Sequence, residues 1–311
     1  MSASALMKSA VSNQQRSILL SLLAFAAGDA FGVAYEYLPE RVPVDMRSMG
    51  SRGDWPPGSV SDDTLLSLLT IHAVQSGDSQ ESARIFRREV LEAAPHLRGL
   101  GPTTRAALGL PAAPDEGLVV VGETVIGNTN GGMMRTALLG LGYEADRDQE
   151  RREMVVAMTR VTHKAPAAVA CAVAGSALYS RALSPESESI DETLRREFQE
   201  LDLLSSDLAL WPESLKIWEP PKAGIPLDPL ETLAAVVWVV ARSSTALEAF
   251  QLSCEIGGDT DTVSALAGGL IAAGGNGADL LSIPWIDDVK WDEVPDLLTA
   301  SSQLAELRGA K

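Results

Sequence analysis

The chain has 311 residues, of which 46% are hydrophobic, and a formal net charge of −17 from 42 acidic and 25 basic side chains. This composition supplies a sizeable core and excludes a disordered chain. The acidic balance gives the general surface no electrostatic reason to bind nucleic acid. Cys171 and Cys254 lie in apolar sequence and are too few for a disulfide framework. We therefore expect free thiols and a cytoplasmic protein.

The N-terminal segment reads as a polar tail followed by an apolar helix. Residues 1–14 are polar and irregular in pattern, and we expect a flexible N-terminus there and one domain over 15–311. The apolar run that follows resembles a secretory signal, but it is shorter than the ~20 residues of a membrane span. We predict a buried first helix at 15–27, with Gly28 and Gly32 marking a break or a close approach of backbones.

The rest of the chain shows helical patterns separated by loops rich in glycine and proline. Helices are predicted at 65–71, 80–96, from 103 onward, and at 133–142, 149–163, 165–181, 191–204, 230–242, 245–255, 260–274 and 295–308. Residues 39–60 and 211–229 are predicted loops. The segment 119–121 is the only strand candidate. The pattern predicts a single all-α domain with many contacts between small residues.

Two acidic clusters stand where a loop meets a predicted helix, Ser61-Asp62-Asp63-Thr64 and Gly257-Gly258-Asp259-Thr260-Asp261-Thr262. N-capping explains one side-chain oxygen at each junction, because such oxygens accept unpaired amide protons of the first helical turn. It does not require the second carboxylate. Four carboxylates and the hydroxyls of Ser61 and Thr262 are also the ligands that two hard cations take. The spacing alone leaves both interpretations open.

Three further segments are candidates for chemistry. Glu36 follows Gly28-Asp29-Ala30-Phe31-Gly32 and is either an exposed acid at a helix end or a carboxylate near the metals, as ligand or general base. The glycine-rich run 127–132 precedes a helix and is either a phosphate cradle or an ordinary turn. His163 is one of three histidines, and a lone histidine is more often structural than catalytic.

Taken in order, these segments resemble the ADP-ribosylglycohydrolase family, which includes the dinitrogen-reductase-activating glycohydrolase and the ADP-ribosyl-acceptor hydrolases. The matching stretches are GDAFGVAYE (28–36), SDDT (61–64), NGGMMR (130–135), THKAP (162–166) and GGDTDT (257–262). The resemblance extends over residues 17–277 and is specific through the order of the motifs. It implies an all-α fold with a binuclear Mg²⁺ centre in a cleft. It also implies hydrolysis of the N- or O-glycosidic bond between ADP-ribose and an acceptor.

The resemblance implies a role for particular residues. The metal ligands are expected to be Ser61, Asp62, Asp63, Asp259, Asp261 and Thr262. The catalytic residues are expected to be Glu36, Asp62 and Asp63. The substrate-binding residues are expected to be Gly99, Gly101, Asn130, Gly131, Gly132, Met133, Arg135 and His163. The implied cofactor is a pair of Mg²⁺ ions, with Mn²⁺ as a substitute.

The implied partner is an ADP-ribosylated protein or an ADP-ribose derivative, with no nucleic acid and no membrane, and the sequence indicates no oligomeric state. Residues 97–104 lack the acid that arginine-directed bacterial members often carry before Gly-x-Thr-Thr, so this segment is similar to members with other acceptors. In this family an aromatic residue that could cover the nucleobase often precedes the helix before GGDTDT, and Pro226 and Leu227 occupy that region here. The alternatives are a non-catalytic protein that binds ADP-ribose or a nucleotide, and a metal hydrolase of another ribosyl or phosphate ester.

Overall fold

The structure, a computed structural model, describes residues 2–40, 42–74, 78–112, 127–184, 188–201, 206–294 and 296–309. The α-helices are α1 (Ala3–Ser9), α2 (Asn13–Gly32), α3 (Asp62–Ala73), α4 (Ser79–Ala93), α5 (Pro102–Leu108), α6 (Gly131–Thr136), α7 (Asp148–Thr159), α8 (Pro166–Ala182), α9 (Ile190–Glu200), α10 (Ser206–Ala209), α11 (Trp211–Ser214), α12 (Pro229–Val240), α13 (Ala246–Ile256), α14 (Thr260–Ile271) and α15 (Leu297–Gly309). Shorter helical turns are Val33–Tyr35, Ala94–His96, Ala137–Gly142, Ala145–Arg147, Leu215–Ile217, Ala272–Asn276, Leu280–Ser282 and Ile286–Asp288.

These elements confirm the predicted all-α fold, and each predicted helix is present with its ends shifted by a few residues. Within the described ranges the β-structure is one parallel bridge between Ile225 and Gly258. The strand candidate at 119–121 lies outside the described residues. The predicted loop at 211–229 contains the short helix α11 and the helical turn Leu215–Ile217, and its last residue begins α12.

Helices α2 and α14 run antiparallel through the centre of the core and touch backbone to backbone. A Cβ atom at Gly28 would lie 2.5 Å from the Ser264 carbonyl oxygen, and one at Gly32 would lie 2.4 Å from the Asp261 Cα. The two glycines therefore permit a close approach of the α2 and α14 backbones, which was one of the two predictions for Gly28 and Gly32. They do not break the helix, because α2 stays buried and continues to Gly32. The contact sets the C-terminal end of α2 against the N-terminal end of α14.

Residues 13–35 form a helical stretch that is long and apolar enough to cross a membrane, with a mean hydropathy of 1.8. In the fold, 83% of its most apolar window is buried. Packing against α14, α15 and α13 accounts for this hydrophobicity, in agreement with the predicted buried helix. The expectation that the apolar run is shorter than a membrane span was wrong, because the helix extends beyond residues 15–27 at both ends.

The N-terminal segment differs from the irregular backbone expected for residues 1–14. Helix α1 is capped by Ser2, whose Oγ accepts a hydrogen bond from the Ala5 amide at 3.2 Å. Ala3 and Leu6 are buried against the core. Ala3 and Leu6 alone form too short an apolar pattern to predict a helix from the sequence, because the residues around them are mostly polar. The domain boundary at residue 15 stays a prediction.

A buried ion-pair cluster joins α7 to α9. The Arg151 Nη2 and Glu197 Oε1 atoms are 2.8 Å apart, and both side chains are fully buried. Arg152 Nε lies 2.8 Å from the second Glu197 carboxylate oxygen. The carboxylate is thus paired on both oxygens, and its charge is compensated despite burial.

Candidate active site

A small cleft opens where the C-terminal end of α2 meets the N-terminal ends of α3 and α14 and the loops before α5 and α6. It is lined by Glu36, Arg52, Ser61, Asp62, Asp63, Gly99, Gly101, Pro102, Thr103, Thr104, Thr129, Asn130, Gly131, Met134, His163, Leu227, Asp259, Asp261 and Thr262. The structure therefore brings together every site residue predicted from the sequence except Gly132, Met133 and Arg135. Segments separated by more than 200 residues meet here because α2 and α14 are in contact.

The first acidic junction is capped by its serine. Ser61 Oγ accepts a hydrogen bond from the Asp63 amide at 3.1 Å, which satisfies the first turn of α3. The carboxylates of Asp62 and Asp63 are buried. Asp63 Oδ2 has no hydrogen-bond partner among the described residues. A buried carboxylate oxygen without a partner is costly, so capping does not account for Asp63.

The second junction also uses its acids for something other than capping. Asp259 occupies the N-cap position of α14, but its side chain accepts no capping bond from the helix backbone. The carboxylate accepts a hydrogen bond from the Asn130 side-chain amide. Asp261 Oδ1 accepts from the Thr262 amide at 2.9 Å. The loop reaches this position through Gly258, whose φ of 85° and close contact with Ile225 leave no room for a side chain.

Five buried carboxylates share this region, and each carries a raised pKa. Burial, followed by the charge of Asp261, raises the pKa of Asp29 to about 7 and that of Asp62 to about 8. The same two causes raise the pKa of Asp63 and of Asp259 well above 3.8, and burial raises that of Asp261. Crowded carboxylates in low dielectric disfavour ionisation unless a cation compensates them. The partnerless Asp63 oxygen and this donor set fit a hard cation.

Glu36 lies beside the second junction, and carboxylate oxygens of Glu36, Asp259 and Asp261 fall within 4.8 Å of one another. Tyr37 fixes this placement: its φ is 47°, and its amide donates to the Gly258 carbonyl at 2.9 Å. Left-handed backbone is uncommon outside glycine and often marks functional regions. The expectation that Glu36 lies near the acidic clusters therefore agrees with the geometry.

Arg52 is a lining residue that the sequence did not indicate. Its guanidinium forms an ion pair with Glu36 and lies 5.8 Å from the centre of the Trp55 ring. The Glu36 side chain is 12% exposed and the Arg52 side chain 43%. Among the described lining residues, Arg52 is the only lysine or arginine. It sits in a loop rich in Gly and Pro, where no periodic pattern marks a site residue.

Asp29 was not predicted from the sequence as a site residue, although the segment that contains it was a candidate. Its carboxylate accepts hydrogen bonds from the Ser61 amide at 3.0 Å, the Thr64 amide at 3.1 Å and the Thr64 hydroxyl at 2.5 Å. Asp29 thereby anchors the first turn of α3 to α2. An acid inside an otherwise apolar helix was the signal that could have identified it, because such a group is buried only with partners.

The glycine-rich segment before α6 is shaped by its neighbours. Asn130 Nδ2 donates to Thr232 Oγ1 at 3.0 Å as well as to Asp259. A Cβ atom at Gly131 would lie 2.9 Å from the His163 ring, and one at Gly132 would lie 2.8 Å from Thr159. The absence of side chains at these two glycines therefore lets the C-terminal end of α7 and His163 pack against α6. Gly132 does not line the cleft.

Met133 and Arg135, expected to bind substrate, are buried in the core behind the cleft. Arg135 stacks over Phe86 with 4.2 Å between its guanidinium carbon and the ring centre. Gly131 and Met134 of the same buried helix line the cleft, whereas Met133 and Arg135 do not.

Gly99 and Gly101 line the cleft beside the first junction. A Cβ atom at Gly99, where φ is 81°, would lie 2.8 Å from the nearer Asp62 carboxylate oxygen. At Gly101 such a Cβ would meet no atom within 4 Å among the described residues beyond its neighbours in the chain. Gly99 thus lets the backbone pass next to Asp62, and Gly101 leaves open space at the cleft.

The fold and the cleft define the class of protein: an all-helical domain with buried carboxylates where two helix ends converge. The family model for ADP-ribosylglycohydrolases matches residues 10–311, so the chain belongs to this family. A solved structure described as an "ADP-ribosylglycohydrolase-related protein complex" is 28% identical, with a TM-score of 0.69, and covers 96% of this chain and 99% of its own. No curated protein matches the chain. Membership confirms the resemblance read from the motifs and supports a hydrolase of ADP-ribose linkages.

Proposed function

We propose that this protein is a Mg²⁺-dependent hydrolase that cleaves the N- or O-glycosidic bond between ADP-ribose and an acceptor. One observation carries the proposal. Two acidic junctions far apart in sequence converge on one cleft, where the buried Asp63 Oδ2 atom has no hydrogen-bond partner among the described residues. Family membership supplies the substrate class.

Six residues would hold two cations: Ser61, Asp62, Asp63, Asp259, Asp261 and Thr262. When bound, the cations supply charge compensation for these carboxylates and polarisation of substrate hydroxyls. Oxygen ligands alone favour Mg²⁺, with Mn²⁺ as the substitute.

The chain's own residues supply the rest of the chemistry. The bond from the anomeric carbon to the acceptor atom breaks, a bond to a water oxygen forms, and the acceptor takes a proton. Glu36 would accept the proton of the attacking water or pass one to the acceptor; its carboxylate lies within 4.8 Å of those of Asp259 and Asp261, which supports this role. Asp62 and Asp63 stabilise the positive charge that develops at the anomeric carbon. Arg52 holds Glu36 in the cleft through their ion pair.

The test is ADP-ribose release from three substrates, namely arginine-linked and serine-linked ADP-ribosylated peptides and O-acetyl-ADP-ribose. Each is measured with Mg²⁺, with Mn²⁺ and with EDTA. We expect release from at least one substrate, dependent on the metal and abolished by EDTA. Asp261→Asn should abolish it with helical content unchanged. No release from any substrate while ADP-ribose still binds would replace the proposal with a non-catalytic ADP-ribose-binding protein.

We also propose an ADP-ribosylated protein or an ADP-ribose derivative as the partner, and a cytoplasmic location. The buried free thiols of Cys171 and Cys254 support a reducing compartment. A cell fractionation with the tagged chain would test the location.

A further inference from the structure

A row of hydrogen-bonded side chains extends from the core to the wall of the cleft. From the core outward its members are Arg135, Thr162, His163, Thr129 and Thr103. We infer that Arg135 fixes the direction of every bond in this relay. The relay then ends with Thr103 donating a hydrogen bond to an acceptor oxygen of the substrate. The identity of that substrate rests on the proposed function.

The direction begins with Arg135 because a guanidinium can only donate. Its Nη2 donates to Thr162 Oγ1 at 2.9 Å, and both residues are buried. The Thr162 hydroxyl thus accepts one bond and must place its own proton elsewhere. His163 Nδ1, at 2.8 Å, is the other partner of this hydroxyl. A buried hydroxyl whose proton has no acceptor costs free energy. Thr162 therefore donates its proton to His163 Nδ1.

The imidazole passes the direction on. A neutral ring that accepts at Nδ1 carries its proton on Nε2. Burial, followed by the charge of Arg135, lowers the pKa of His163 to about 3, which keeps the ring neutral. His163 Nε2 lies 2.9 Å from Thr129 Oγ1 and donates to it. The histidine is therefore a positioning residue, not a proton donor or acceptor in the reaction.

The last step places a donor at the cleft. Thr129 Oγ1 accepts from His163 and donates to Thr103 Oγ1 at 3.2 Å. Thr103 lines the cleft, and within the described part of the chain its hydroxyl has no second partner. Its proton is consequently free for an acceptor that enters the cleft.

This neutral donor differs in kind from the carboxylates on the same cleft. The carboxylates attract cations and repel phosphate, whereas a hydroxyl of fixed direction favours an acceptor oxygen and disfavours a donor. ADP-ribose offers two kinds of such acceptor, phosphate oxygens and ribose oxygens, and the binding experiment separates the two kinds.

The first test is the tautomer of His163, read from ring ¹⁵N shifts of the histidine-labelled full chain, with His163→Gln to assign the signal among the three histidines. We expect an unprotonated Nδ1 and a protonated Nε2 from mildly acidic to neutral pH. Thr162→Val should mix the tautomers, whereas Thr162→Ser should keep the single form. A protonated Nδ1 in the wild type would overturn the relay. This readout does not depend on turnover, so it fails or holds separately from the proposed hydrolase.

The second test is ligand binding by the Mg²⁺-loaded protein. Thr103→Val keeps the shape and removes the donor, and Thr103→Ser is the matched control. We expect Thr103→Val to weaken ADP-ribose binding about tenfold to a hundredfold, as for a hydrogen bond to a charged group. Thr103→Ser should bind like the wild type. A loss shared by pyrophosphate identifies a phosphate oxygen, and a loss shared by ribose but not by pyrophosphate identifies a ribose oxygen. Wild-type binding by Thr103→Val, or equal losses in both variants, would refute the donor role.

Discussion

The crowded carboxylates predict how the stability of the metal-free protein depends on pH. Burial and the charge of Asp261 raise the pKa of Asp29 from 3.8 to about 7 and that of Asp62 to about 8. A carboxyl whose pKa is higher in the folded state binds more protons when folded. The free energy of unfolding of the EDTA-treated protein should therefore fall as the pH rises from the unfolded pKa to the folded one. The window lies between pH ~4 and ~8.

The magnitude follows from the size of the shifts. One pKa unit corresponds to about 1.36 kcal/mol, so the change of roughly three units at Asp29 corresponds to about 4 kcal/mol across the window. That is a large fraction of the ~5–15 kcal/mol by which a domain is stable. If the proposed cations bind the ionised carboxylates, the stabilisation gained from Mg²⁺ should grow over the same pH range.

Denaturant unfolding followed by circular dichroism would measure the free energy of unfolding at several pH values, with and without Mg²⁺. Asp62→Asn is the matched control, because it keeps the shape and removes one ionisable group of the cluster. The metal-free variant should lose less stability with rising pH than the wild type, and it should gain less from Mg²⁺. Parallel pH curves for the two proteins, or an Mg²⁺ effect independent of pH, would refute the electrostatic reasoning.

Three other substitutions follow from contacts described above. Arg52→Gln should lower turnover more than Arg52→Lys, because only lysine keeps a positive charge beside Glu36; equal rates would contradict this. Glu197→Ala should cost about 3 kcal/mol in denaturant unfolding, near the lower end for breaking a buried pair, because Arg151 loses its buried partner but keeps Asp148. A loss below about 1 kcal/mol, the value typical of an exposed pair, would contradict this. Gly32→Ala should lower the melting temperature strongly through its contact with α14. The control Gly274→Ala, whose Cβ would meet nothing within 4 Å, should change it little.

The sequence predicted the helices because each left a local mark, whereas the convergence of the two acidic junctions was implied by the resemblance to the family. A doubled acid at a helix start exceeds what capping needs, and Asp63 shows that excess in the structure as an oxygen without a partner. Asp62, Asp259 and Asp261 were found by the same reasoning.

Residues whose environment is created by distant segments could not be placed from the sequence. Arg135 stands next to a glycine-rich loop in the chain, yet its surroundings are set by Phe86 and Thr162. Arg52 belongs to the cleft only because its loop folds back on Glu36. Such placements depend on tertiary contacts, which local periodicity does not record.

Because of the backbone contact at Gly28 and Gly32, the helix pair α2 and α14 tolerates substitution less well than the loops around the cleft. Any side chain larger than hydrogen there would force α2 and α14 apart and carry the two acidic junctions with them. The loops bearing Arg52 and Gly99 are not held in this way, since they join helix ends at the surface. Altered preference for the acceptor would therefore arise most readily by lengthening or shortening these loops, while the helix pair beneath stays unchanged.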